Sequence, residues 1–120
     1  MPWPETLHRI AAAADLTRKP LRHGAHQVAG DPDEDDFTVL LEVRTAEGQR
    51  LEPEDLDLEI YRSGDGLNLT LAWHHAPDRP MLWHGSHSVW MDPTGRRCGV
   101  PADGAPLEAL ARRLRALFSG

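Results

Sequence analysis

Histidine and tryptophan crowd one stretch, residues 71–92, LAWHHAPDRPMLWHGSHSVWMD. It holds three of the four tryptophans (Trp73, Trp83, Trp90) and four of the seven histidines (His74, His75, His84, His87). Imidazole titrates near neutral pH and ligates transition metals, so this is where the chain could do chemistry. With Gly85–Ser86 as a two-residue type II′ turn, His84 and His87 are directly opposed on one hairpin. Their Cβ atoms are then expected about 4.5–5.5 Å apart. His74 ends the preceding strand and is expected to reach the same edge. Neutral imidazoles there suit zinc or another borderline transition metal, with Asp78 or Asp92 completing the shell. His74, His84 and His87 are thus the candidate metal ligands, although their spacing matches no established ligand motif and opposed histidines are also ordinary cross-strand pairs.

Catalysis without a metal has less support. His87 with Ser86, or His74 with Asp78, can be written as partial triads, but sequence neighbours on a strand or tight turn point apart. The chain has no G-x-S-x-G nucleophile elbow, and Gly64-Asp65-Gly66 lacks the downstream glycine and helix of a nucleotide fingerprint. No cofactor is predicted, and the composition reads as a binding module rather than an enzyme. Aromatic residues dominate binding hot spots. Tyr61, His74, His84, His87 and Trp90 are accordingly the expected recognition residues, with Tyr61, His74, Leu82 and Trp90 on a sheet face that no helix covers. The expected partner is another protein or a second copy of the chain. The rival reading is a histidine-based metal-binding protein or metal-dependent enzyme.

The elements that must position these residues follow from periodicity. Residues 4–16 predict a helix, with Pro4 in the first turn and Leu7, Ile10, Ala11 and Ala14 on one face. Trp3 is expected to pack back onto Leu7, and Arg18 and Lys19 to complement the helix dipole. Residues 21–36 read as a loop ending in the acids Asp31, Asp33, Glu34, Asp35 and Asp36. Asp36 stands where a calcium loop needs glycine, so the run is a solvated acidic loop.

Residues 37–100 predict an antiparallel sheet. Phe37, Val39, Leu41 and Val43 alternate on one face, followed by Leu56, Leu58 and Ile60, then Leu67, Leu69, Leu71 and Trp73 across a Gly64–Gly66 turn. Strands 81–84 and 87–91 follow, then an Asp92-Pro93-Thr94-Gly95 turn and a short closing strand at 97–100. Residues 105–118 predict an amphipathic helix that covers one face of the sheet. The fold class is α+β: a helix, a meander of four to six strands and a helix, in a single domain spanning 1–120.

Bulk composition excludes several classes. Formal net charge is -6, with twelve acids against Arg44 and Arg50 over residues 31–59. The chain has no basic block, so phosphate neutralisation cannot drive nucleic-acid binding. No apolar run is long enough to span a bilayer, and residues 1–9 carry no signal-peptide pattern. One cysteine, Cys98, cannot form an intramolecular disulfide and suits a reducing compartment. A cytoplasmic protein is expected. The abundance of arginine over lysine, with plentiful alanine, points to a GC-rich bacterial genome.

Overall fold

Period-two alternation of apolar and polar residues builds the centre of the molecule. The computed structural model describes residues 2–64 and 66–119. Its elements run α1 (Trp3–Thr17), β1 (Arg22–Asp31), β2 (Asp36–Arg44), β3 (Leu56–Ser63), β4 (Gly66–Trp73), β5 (Met81–His84), β6 (Ser88–Met91) and α2 (Gly104–Ser119). The strands form one open antiparallel sheet in the order β1-β2-β3-β4-β5-β6, each paired with its neighbour in sequence. This is the expected α+β class: a helix, a meander and a helix.

In β2, β3 and β4 the alternate residues from Phe37, Leu56 and Leu67 onward are buried. Helix α1 packs Ile10 and Ala14 against that face, and α2 packs Leu107, Leu110, Ala111 and Leu114 into the same cluster. Trp3 of α1 meets the Phe37 ring edge-on at 4.8 Å, and Phe118 of α2 approaches it at 5.7 Å. Both helices therefore lie on one side of the sheet, and the domain has two layers. Among the described residues, no helix is long and apolar enough to cross a membrane.

The β3–β4 hairpin closes at the Ser63–Gly66 pair, with Gly64 at φ 64°, a left-handed conformation that glycine adopts at little cost. Asp65 lies outside the described residues. The Asp92–Gly95 turn forms as expected, with Gly95 N–H donating to the Asp92 carbonyl at 2.9 Å.

Four sequence expectations need correction. Residues 22–31 are not loop but the ten-residue edge strand β1, paired with β2 from Arg22–Arg44 to Asp31–Asp36 around a bulge at Val28. Its composition hides it, because only Ala25 packs on the core. It forms because the free edge of β2 would otherwise leave a row of backbone groups without partners. Arg18 does not serve the helix dipole in solvent; it is buried and held by side chains. The expected closing strand at 97–100 reduces to a single bridge between Met91 and Arg97.

The fourth correction concerns the β5–β6 turn. His84 pairs with Ser88, not His87, so the loop is the three residues Gly85, Ser86 and His87. A shift of one residue moves a strand's side chains to the other face. Trp90 therefore pairs with Leu82 and enters the core, while Trp83 pairs with Val89 on the opposite side.

Candidate functional site

The helix-free face of the sheet is built from the residues that alternate with the core. On β2 these are Thr38, Leu40 and Glu42; on β3, Asp57, Glu59 and Tyr61; on β4, Asn68, Thr70 and Ala72. The short strands β5 and β6 add Met81, Trp83, Val89 and Met91. Leu40, Tyr61, Met81, Trp83, Val89 and Met91 are all half-buried. Among the described residues, no lysine or arginine takes an open-face position on β3 to β6, whereas Asp57 and Glu59 do. The face is thus apolar toward β5 and β6 and acidic on β3.

The Trp83 indole reaches across β4, where Nε1 donates to the Tyr61 hydroxyl oxygen at 3.0 Å. Gly85 makes this possible. A Cβ there would stand 2.4 Å from Cη2 of Trp83 and 3.1 Å from Oδ1 of Asn68. Gly85 is not among the positive-φ glycines, so its smallness serves the indole rather than a type II′ turn.

The expected recognition residues divide. Tyr61 and His74 belong to the open face: His74 follows β4, and its Nδ1 lies 2.7 Å from Oδ1 of Asp57. Trp90 does not, being buried with its Nε1 donating to Glu108 of α2 at 3.0 Å. Leu82 is likewise core. His84 is buried on the helix side, with Nδ1 3.2 Å from the Gly85 carbonyl oxygen. Burial pushes its pKa below the ordinary histidine value, against a smaller upward pull from that hydrogen bond. His87 sits exposed in the turn, its Nδ1 3.2 Å from Ser86 Oγ.

The three candidate metal ligands do not converge. His84 stands beside Leu69, and His74 lies five residues beyond Leu69, just past the end of β4, about 16 Å at strand rise. Register alone keeps them apart. No group of three or more histidine, cysteine or acidic residues able to hold a metal ion occurs among the described residues.

Sequence reasoning missed two buried polar clusters at the end of the sheet near His74. In one, Asp55 accepts from Arg50 Nη1 at 2.9 Å, from Arg50 Nη2 at 2.8 Å and from the Val43 N–H at 2.9 Å. Burial works against the Asp55 charge, but these hydrogen bonds outweigh it and hold the carboxyl below its usual range. His75 Nε2 is 3.6 Å from the same carboxylate and meets the His74 ring edge-on.

In the other cluster, the buried His23 ring has Nδ1 2.9 Å from Asp15 Oδ1 and Nε2 3.0 Å from Arg18 Nη1. A guanidinium only donates, so Nε2 is the acceptor, Nδ1 carries the proton and the ring is neutral. Burial pushes the His23 pKa down, partly offset by its bond to Asp15. Arg18 also donates to Glu54 at 3.0 Å. Every polar atom of His23 is committed, so this cluster fastens α1 to β1 and leaves no free base. The sequence carried one signal for it: an aspartate, an arginine and a histidine, Asp15, Arg18 and His23, on the two sides of a chain reversal at Pro20.

Two layers of secondary structure with one sheet face bare define an open-faced α+β domain. The chain belongs to the family described as a domain of unknown function (DUF8659), whose profile matches residues 7–117. No curated protein and no solved structure matches it.

Proposed function

We propose that this domain is a protein-recognition module whose contact surface is the bare face of the sheet, centred on Trp83 and Tyr61. The observation that carries the reading is that a large aromatic pair lies half-buried on the side of the sheet that no helix covers. Tryptophan and tyrosine present wide, rigid contact area with a polar tip, the properties that make them hot-spot residues. Asp57 and Glu59 favour a partner with an apolar patch and basic groups beside it. The negative net charge argues against nucleic acid as that partner. The lone cysteine and the arginine-rich, alanine-rich composition support a bacterial cytoplasmic setting.

The test is site-specific photo-cross-linking in cells, with the reactive group at Thr70 on the sheet face or at Arg112 on the exposed side of α2. Discrete cross-linked species from Thr70 that disappear when Trp83→Ala is added are expected. Cross-links from Arg112 alone would overturn the reading. Light scattering identifies the partner as a second copy if the mass rises with concentration in the parent protein and not in Trp83→Ala.

A further inference from the structure

The bare face ends in a cleft of about 340 Å³ between the loop after β4 and the turn after β6. That volume is within the range of side-chain and small-ligand sites. Ala72, Met81 and Met91 form its floor, and Pro77 and Pro93 its flanks, so its walls are apolar. Its polar lining is rich in acceptors. Asp57 uses one carboxylate oxygen on His74, and Asp92 uses Oδ1 on the N–H groups of Thr94 and Arg96 and on the Thr94 hydroxyl. Those hydrogen bonds hold the Asp92 carboxyl below its usual range, led by the one from the Thr94 hydroxyl. Each carboxylate keeps a second oxygen outside these bonds. The cation at the cleft, Arg79, is stacked 3.6 Å from the centre of the Trp73 ring and ion-paired with Asp103. Its charge is thereby balanced within the domain.

Asp57, Ala72, Met81 and Met91 lie in a row across four strands, so Asp57 closes one end and Asp92 the other, about 14 Å apart at ordinary strand spacing. An apolar trough that ends in a carboxylate suits an aliphatic stem carrying a hydrogen-bond-donating cation. We infer that this cleft receives an arginine or lysine side chain of the protein partner, with its stem on Met91 and Met81 and its head on Asp57. The inference rests on the recognition role assigned to the bare face. Met81 and Trp83 are two residues apart on β5, about 7 Å along the same face, so one partner segment spans the cleft and the aromatic pair.

The test is NMR of the full chain with 13C-methyl methionine, the cleft signals being assigned through Met81→Leu and Met91→Leu. The probes are the N-acetyl N-methylamides of arginine, lysine, norleucine and glutamate. The arginine or lysine probe is expected to give saturable shifts at both methyls, and the norleucine and glutamate probes are not. Asp57→Asn is expected to weaken the cationic probe about fivefold, as for one solvent-accessible ion contact. Glu59→Gln, on the same face outside the cleft, is expected to change it less than about twofold. Ala72→Val narrows the cleft without changing its charge and is expected to weaken binding if the side chain lies on the floor.

Equal shifts with norleucine, no saturable shift with either cation, or equal losses from Asp57→Asn and Glu59→Gln would overturn the inference. Thr70 cross-links in the absence of cation binding sink the cleft inference and leave the recognition reading standing. Cation binding without Thr70 cross-links overturns the recognition reading, and with it the assignment of the cation to a partner protein.

Discussion

Trp83 and Tyr61 are joined across an intervening strand: the indole N–H on β5 donates to the phenol oxygen on β3 at 3.0 Å, above Asn68 of β4. The bond ties three strands together on the face without helices and fixes the orientation of the largest side chain there.

Gly85→Ala should break this arrangement, because the new methyl would meet the indole at 2.4 Å. The expected cost is about 1–3 kcal/mol, as for other overpacked sites. Tyr61→Phe removes only the acceptor and should cost about 0.5–1.5 kcal/mol. Chemical denaturation gives both values. NMR should show a displaced Trp83 indole N–H in Gly85→Ala and a faster-exchanging one in Tyr61→Phe.

Asp55→Ala removes the acceptor of the buried Val43 N–H and leaves Arg50 without its paired carboxylate. A loss of about 2–3 kcal/mol in urea unfolding at neutral pH is expected. Arg50→Ala should be milder, since the Val43 bond to Asp55 survives. Equal losses would mean that the backbone bond contributes little.

Acid should weaken the domain in two windows. His23 and His84 have pKa values lowered from the ordinary 6.5 by burial, so the unfolded chain binds their protons first. Their contribution is complete above pH 6.5 and is lost as pH falls through the lowered folded values, at up to about 1.4 kcal/mol per pH unit for each. Asp55 is also lowered, from 3.8, so its contribution is lost as pH falls further below that value. Urea midpoints measured from pH 8 to pH 3 should trace both windows. His23→Gln should flatten the upper one; an unchanged slope would show that His23 is not protonated on unfolding there.

Zinc titration should perturb His74, His84 and His87 independently, because strand register separates His74 from His84 and the turn carries His87 out of the ladder. Imidazole resonances that move together with one stoichiometric ion would contradict the geometry. So would a tightly bound metal lost in the His84→Ala, His87→Ala double variant.

The residue sequence by itself determined the fold class and the inward faces of β2, β3 and β4. Alternation with period two is local and unambiguous there: Val39, Leu58 and Leu71 cannot all be buried with their polar neighbours in any other register. It also determined both helices, through one-sided apolar spacing, and the Asp92–Gly95 turn, through residue types with a single common use. Tertiary structure alone decided the rest. Strand β1 carries almost no apolar signal and exists because β2 needs a partner. Trp83 and Trp90 take opposite faces because the turn holds three residues rather than two. The pairing of Asp57 with His74 joins residues whose separation in sequence predicts nothing about distance. Local chemistry therefore specified which residues are hydrophobic and where the chain reverses. Long-range register specified which tryptophan lies on the bare face and which histidines are buried.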